Sequence, residues 1–318
     1  MEKKIPVVAV VGPTASGKTS MAIMLAKRLN GEIVSADSMQ VYRRMDIATA
    51  KPTLEERQGI PHHLMDFLEP EETFSVADYV KRAHPLLSDI HKRGKLPILA
   101  GGTGLYISSV LDNIQFAENK SDPMIREELA LFAQEKGSVA LWEELRKIDP
   151  ELAAQLHPNN TGRIIRGIEA FRLTGIPMSV QLKKSREQET PYQVKKIGLT
   201  FADRARLYER INRRVDQMMQ QGLLEETRAI LENPNRKTAC QAIGYKELES
   251  YLNGCCSLEE AVEHLKQETR RYAKRQLTWF RRDPQIEWYK LDEIGTAEAE
   301  KKIGDSVENF LKVCYTEK

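Results

Sequence analysis

An uninterrupted apolar run that ends in a glycine loop and leads into a helix constrains this chain more than any other feature. Residues 5–11 read IPVVAVV, rich in β-branched side chains and without polar alternation, as in a strand buried on both faces of a parallel sheet. Gly12-Pro13-Thr14-Ala15-Ser16-Gly17-Lys18-Thr19 follows at once, and a helix is expected from Lys18 to Leu29, where Asn30-Gly31 stops it. The octapeptide fits G-x-x-x-x-G-K-[ST], the phosphate-binding P-loop pattern. Average residue frequencies would produce it in a chain of this length about one time in a hundred. Its place between strand and helix suits the chemistry, because loop N–H groups and the helix amino terminus can together surround phosphate oxygens. Lys18 adds a point charge, and the Thr19 hydroxyl is a ligand for Mg²⁺. A compound with two or more linked phosphates is expected here, its identity left open.

Strand-like runs recur downstream. EIVSAD (residues 32–37) and LPILA (residues 96–100) read as two further strands, the second ending at Gly101-Gly102 with a helix expected after it. Strand, helix and strand in this rhythm imply a parallel sheet covered on both faces. The pattern changes near Asn113. From Asp122 to Lys184 no strand-like run occurs, and amphipathic stretches such as 123–135, 139–147 and 162–172 dominate. YQVKKIGLTF (residues 192–201) then returns to the sheet. The expected fold is α/β: a P-loop parallel sheet flanked by helices, with an inserted all-helical domain. Residues 1–115 and 190–318 would form the P-loop core with C-terminal helices, and 116–189 the insertion, whose polar ends suit linkers. Two domains agree with a length of 318 residues. Beyond Asp203, Leu207, Ile211, Val215 and Met218 form one apolar helical stripe. A second stripe runs Leu258, Val262, Leu265, Tyr272, Gln276, Phe280, with one polar member. The tail beyond Asp283 is acidic and shows no recognisable chemistry.

No run of about 18 apolar residues exists, which excludes a transmembrane helix. The amino-terminal apolar stretch lacks the small-residue cleavage site of a signal peptide. A cytoplasmic, monomeric protein with no membrane partner is expected. The net charge of +2, from 48 basic and 46 acidic side chains, argues against a uniformly basic nucleic-acid binder. The total hides an uneven distribution. Residues 270–282, RRYAKRQLTWFRR, carry six basic side chains and no acid, with Tyr272, Trp279 and Phe280 interleaved, whereas 283–318 hold nine acids against five bases. Cys240, Cys255, Cys256 and Cys314 have no metal-binding spacing and read as reduced thiols. His62-His63 with Asp66 lacks the further ligands of a metal site.

A nucleotide hydrolase with this loop usually carries a second strand ending in Asp, which holds Mg²⁺ through water. LPILA ends instead in Gly101-Gly102-Thr103, while EIVSAD ends in Asp37. That places Asp37 at the carboxyl edge of the sheet, the rim where open α/β sheets bind ligands. By chemistry alone it serves as a Mg²⁺ ligand, a general base or a helix cap.

The surrounding segments narrow this. Ser35-Ala36-Asp37-Ser38-Met39-Gln40-Val41-Tyr42, and Met45-Asp46-Ile47-Ala48-Thr49-Ala50-Lys51-Pro52 beyond it, resemble the signature of tRNA dimethylallyltransferases. The resemblance extends to GPTASGKT, Gly101-Gly102-Thr103-Gly104-Leu105-Tyr106, His157-Pro158-Asn159, Gly244-Tyr245 and Ala273-Lys274-Arg275-Gln276-Leu277-Thr278-Trp279-Phe280. These blocks span almost the whole chain in family order. The resemblance implies transfer of a dimethylallyl group from dimethylallyl diphosphate to N6 of adenosine 37, in the anticodon stem-loop of tRNA. The loop Gly12 to Thr19 would then hold a diphosphate leaving group, with Mg²⁺ on Thr19. Arg206, Arg210 and Arg214 recur every four residues on one helix face, and by resemblance Arg214 contacts the diphosphate.

An exocyclic adenine amine is a poor nucleophile, so a base must take its proton as the new bond forms. By resemblance that base is Asp37, with Asp37, Thr19 and Arg214 the catalytic set. By the same resemblance Asp37, Ser38, Met39 and Gln40 are implied in tRNA binding, and Thr103 in contact with the substrate adenosine. Arg163, Arg166, Gln241, Gly244, Tyr245, Lys246, Arg270, Lys274, Arg275 and Trp279 are implied in tRNA contact, with the insertion closing over the anticodon arm. The chain departs from the expected family form at Ala242, where cysteine is common, and at Lys246, where arginine is expected. The alternatives are a small-molecule kinase binding ATP at the P-loop, an adenine-nucleotide isopentenyltransferase, and a non-catalytic, nucleotide-gated RNA-binding protein.

Overall fold

The computed structural model describes residues 4–116, 121–234 and 242–316. The chain divides into two compact units, one formed by Met1–Leu111 with Pro191–Lys318 and the other by Asp112–Thr190. In chain order the elements are β1 (Ile5–Val11), α1 (Lys18–Arg28), β2 (Gly31–Ser35), β3 (His62–His63), α2 (Val76–Lys92), β4 (Leu96–Gly101) and α3 (Gly104–Leu111). The second unit holds α4 (Pro123–Lys136), α5 (Ser138–Ile148), α6 (Pro150–Gln155), α7 (Thr161–Thr174) and α8 (Met178–Lys184). The first unit resumes with β5 (Tyr192–Thr200), α9 (Arg204–Gln220), α10 (Leu223–Leu231), α11 (Tyr245–Leu252) and α12 (Leu258–Phe280). It ends with β6 (Ile286–Lys290), α13 (Leu291–Ile294) and α14 (Thr296–Thr316).

The six strands form one sheet in the order β3-β2-β4-β1-β5-β6, and every pairing is parallel. β1 lies at the centre because its side chains are apolar on both sides. Val7, Ala9 and Val11 pack with Tyr79, Leu87 and Ile90 of α2 and Val110 of α3. Val8 and Val10 pack on the other face with Met21 and Leu25 of α1 and Ile303 and Val307 of α14. A third cluster joins the loop residues Val41, Tyr42 and Met45 to Val215, Leu223, Tyr245, Leu248 and Leu265 of α9–α12. Among the described residues no helix is long and apolar enough to cross a membrane.

The four strands expected from sequence are present, but the edges were not legible. β3 is only two residues long, and its register on Ile33 and Val34 cannot be seen in a pair of histidines. The acidic tail is also more than a tail. Ile286 and Tyr289 are buried in an edge strand paired with β5, and α14 covers the α1 face of the sheet. Charged residues between the buried ones masked that periodicity. His62 and His63 each engage one ring nitrogen within the fold: Nδ1 of His62 lies 2.8 Å from the Ile60 carbonyl, and Nε2 of His63 lies 2.7 Å from Glu32. Among the described residues Cys255, Cys256 and Cys314 form no disulfide, while Cys240 lies outside the described residues.

In the inserted unit Leu141, Leu145, Ile164 and Ile168 form the core, and the fully buried Glu169 closes it on one side. Its carboxylate accepts from Arg126 (2.8 and 3.0 Å), Arg166 (2.7 Å) and the Asp122 amide (2.9 Å). Arg166, expected at the RNA, is therefore committed to an ion pair within its own unit. Arg163, one turn earlier on α7, is exposed.

Glu32 is the corresponding strut of the sheet. It is 3% exposed and accepts from Arg93 at 2.6 and 2.7 Å and contacts His63 at 2.7 Å. The Arg93 guanidinium holds its carboxyl down at about 2, against the desolvation that opposes ionisation. A carboxyl depressed in the folded state stabilises above its unfolded value and loses that contribution as pH falls through the folded one. Glu32→Ala is expected to lower urea-unfolding stability at neutral pH by about 2 kcal/mol, less than a fully buried pair because Arg93 is solvated. The gap from wild type should close between about pH 4.5 and pH 2. A pH-independent gap would mean that lost packing, not charge, is the cause.

Candidate active site

β2, β4 and β1 are adjacent in the sheet and parallel, so the chain leaves all three at the same edge. The P-loop follows β1, Asp37 follows β2, and the Gly101-Gly102-Thr103 turn follows β4. A cavity of about 350 Å³ opens between them, lined among others by Thr14, Lys18, Thr19, Asp37, Gly102 and Arg214. A second, wider space of about 1050 Å³ lies on the other side of Lys18, Thr19, Ala50 and Arg214, which border both.

The P-loop has the backbone its pattern requires. Gly12 and Gly17 have φ of 144° and 90°, and Ala15, with φ 62°, is held in the left-handed region too. The buried hydroxyl of Ser16 has no hydrogen-bond partner among the described residues. Lys18 curls back, its Nζ donating to the Pro13 carbonyl at 2.7 Å. Burial lowers its affinity for a proton to about 7; the neighbouring Arg214 charge adds to the effect and Asp37 opposes it. Arg214, on α9, is likewise pushed down by burial, with Asp37 and Glu56 opposing. Two half-buried basic side chains bordering the same cavity form a site that favours an anion.

Asp37 is anchored by one oxygen. Its Oδ1 accepts from the Met39 amide at 2.9 Å and the Gln40 amide at 3.4 Å, an Asx turn. Ser38 donates its amide to Thr103 Oγ1 at 3.0 Å, and the Thr103 amide donates to the Ala36 carbonyl at 3.1 Å. Thr103 thus holds the turn that carries Asp37. Gln40 accepts from Ser35 Oγ at 3.1 Å and donates to the Thr49 and Ala50 carbonyls at 3.1 and 3.4 Å. No acid replaces Gly101 for a physical reason. A Cβ there would lie 2.2 Å from the Ala36 carbonyl oxygen, so position 101 admits no side chain on this backbone.

α12 supplies the remaining wall. Gln276 is 5% exposed; it accepts from the Thr14 amide at 2.8 Å and donates to the Gly102 carbonyl at 3.0 Å. It ties the P-loop to the turn after β4, a role signalled in sequence only as the polar member of an apolar stripe. Tyr272, one turn earlier, also lines the cavity, its hydroxyl kept protonated by burial and by Asp37.

The expected RNA-contacting residues fall into two groups. Gly244, Lys246 and Arg275 line the cavity, Lys246 and Arg275 with exposed side chains; Lys274 is exposed on α12. The others are turned inward. Tyr245 is fully buried in the helical cluster and donates its hydroxyl to Glu226 at 2.9 Å. Trp279 packs so closely on α3 that a Cβ on Gly104 would lie 2.2 Å from its ring. Arg270 is bonded to Asn212 at 2.8 Å and Glu263 at 2.9 Å. Gln241 lies outside the described residues. On α9, Arg210 donates to the Ala15 carbonyl at 3.0 Å and stacks over Phe201 at 5.3 Å, supporting the loop beside Arg214.

A family model described as "IPP transferase" matches residues 40–283. The chain is 49% identical to a tRNA dimethylallyltransferase of Halalkalibacterium halodurans, over 98% of this chain and 97% of that protein. It is also similar to the crystal structure of a full-length tRNA isopentenylpyrophosphate transferase from Bacillus halodurans. That match has a TM-score of 0.74 and 47% identity, and covers 98% of each chain. A eukaryotic dimethylallyltransferase acting on tRNA superposes with a TM-score of 0.80 at 30% identity, covering 96% of this chain and 80% of that one.

The lowered Lys18 proton affinity has a measurable consequence. An anion bound beside Lys18 restores its charge, so binding above about pH 7 must draw in a proton. Calorimetric titration with inorganic diphosphate at about pH 8.5, in buffers of unlike ionisation enthalpy, is expected to show about one proton more taken up by wild type than by Lys18→Met. Equal uptake by the two would place the anion elsewhere.

Proposed function

The chain belongs to the IPP transferase family, and from that premise we propose that it transfers a dimethylallyl group from dimethylallyl diphosphate to N6 of adenosine 37 beside the tRNA anticodon. The observation that carries this reading is one cavity bordered by a diphosphate-type loop, two cations and a carboxylate with a free oxygen. Among the described residues Oδ2 of Asp37 has no hydrogen-bond partner, while Oδ1 is fixed by its turn. The N6–carbon bond forms as the carbon–oxygen bond to diphosphate breaks, the electron pair leaving with the diphosphate. Asp37 takes the proton from N6, and Lys18, Arg214 and the P-loop amides meet the charge that builds on the leaving oxygens.

The donor set fits a Mg²⁺ ion. Thr19, at the head of α1, lines the cavity, and its hydroxyl would be the protein ligand. Among the described residues no cluster of three or more His, Cys, Asp or Glu side chains exists. A cation here would thus rest on Thr19, water and the diphosphate itself, which suits an ion that keeps several waters. When bound, it supplies charge neutralisation for the leaving group.

Adenosine must leave its stack to reach Asp37. Lys246, Arg275 and Tyr272 border the cavity and are suited to phosphate and base contact, with Lys274 beside them and Arg163 exposed on the inserted unit. The Gly101 geometry speaks against the kinase alternative, since a carboxylate at that strand end would collide with the Ala36 carbonyl.

Asp37→Asn is expected to lower the single-turnover rate of transfer to tRNA by about 10²–10⁴-fold, with tRNA affinity in a filter-binding assay within about threefold of wild type. A variant reacting at near wild-type rate would remove the general-base assignment. Label from dimethylallyl diphosphate appearing in free adenine nucleotide but not in tRNA would overturn the substrate.

A further inference from the structure

Residues 46–51 form a strap between the two spaces beside the P-loop. Ala48, Thr49 and Ala50 line the smaller cavity, and Ala50 borders both. The strap is a single turn: the Ala50 amide donates to the Ile47 carbonyl and the Lys51 amide to the Asp46 carbonyl, each at 2.9 Å. Ala50 has φ of 48°, a left-handed conformation that a non-glycine residue keeps only when its surroundings enforce it. The first amides of such a turn have no partner inside it.

Glu226, on α10, supplies all of them. Its Oε2 accepts from the Asp46 and Ile47 amides at 2.8 Å each, and Oε1 from the Ala48 amide at 2.9 Å and the Tyr245 hydroxyl at 2.9 Å. A carboxylate offers about four lone-pair positions and no donor, so these four bonds saturate it. At the far end Lys51, its side chain 3% exposed, donates to the Tyr42 carbonyl at 2.8 Å and pairs with Asp46 at 2.6 Å and with Asp66. With both ends held, the carbonyls between them point inward. Thr49 and Ala50 accept from Gln40, and Ala50 also faces Nη2 of Arg214 at 3.5 Å. Glu226 itself borders neither space.

We propose that Glu226 is a positioning residue for the diphosphate site, acting through the 46–51 strap on Arg214. The inference rests on the assignment of the P-loop cavity to dimethylallyl diphosphate. Glutamine is nearly isosteric with Glu226 but must turn an NH₂ group toward amides that are donors themselves. The strap then loosens, and the Ala50 carbonyl no longer holds the guanidinium.

Glu226→Gln is expected to raise the Kd of inorganic diphosphate, measured by calorimetry with Mg²⁺, about tenfold, with an equal rise in KM for dimethylallyl diphosphate. The KM for tRNA should stay within about twofold, whereas kcat should fall by about three- to tenfold, because Arg214 also meets the charge on the leaving oxygens. In an Arg214→Ala background the same substitution should add less than about a twofold loss, because its route is already cut. Tyr245→Phe, which removes one of the four bonds and leaves the fold in place, should raise the same Kd by about two- to threefold. Glu226→Gln and Tyr245→Phe proteins that melt earlier but bind diphosphate as wild type does would reduce the residue to a structural cap and overturn the proposal. Full multiplicative losses in the double variant would overturn the route through Arg214. Failure of the wild type itself to bind diphosphate would defeat the cavity's assignment instead, which separates the two readings.

Discussion

Three neighbouring strands that run the same way must end at the same edge, and the chemistry of this protein depends on that. β1, β4 and β2 are joined by parallel pairing, and each hands its chain to a different functional segment: the P-loop, the Gly101–Thr103 turn and Asp37. Parallel strands need crossovers, and the helices that make them bury both sheet faces. A central strand of valines is therefore a condition for the site, because only apolar side chains on both faces of β1 let it lie between β4 and β5.

Polar struts then hold the segments in mutual register. Gln276 joins the P-loop to the turn after β4, Thr103 joins that turn to the Asp37 turn, and Gln40 joins the Asp37 turn to the 46–51 strap. Each uses backbone groups that would otherwise be buried without partners, so each contributes to specificity as well as stability. Against this neutral frame stand Lys18 and Arg214, both disfavoured as cations by burial and Lys18 further by Arg214 itself. The free protein thus holds an electrostatic strain that an anion relieves.

The near-neutral total of +2 averages over unlike segments of the chain. The basic run at 270–282 is itself divided: Arg275 reaches the cavity, whereas Arg270 and Arg271 are occupied by Asn212, Glu263 and Glu268. Arg166 is spent in the same way on Glu169. Residue type and motif position marked these arginines alike. Only their neighbours in space distinguish a charge that faces solvent from one that closes an ion pair.

Local order in the chain determined the four inner strands, the P-loop, the placement of Asp37 at a strand end, and the helical character of the insertion, because period and turn chemistry are short-range properties. Tertiary structure alone decided the edges β3 and β6, whose few residues carry too little periodicity to read. It also buried Tyr245 in the helical cluster, set Trp279 against α3, gave Gln276 its bridge between Thr14 and Gly102, and set Glu226 on the amides of a strap 180 residues away. Such long-range hydrogen bonds have no local signature: a carboxylate on a helix looks solvated until the fold brings three unpaired amides to it.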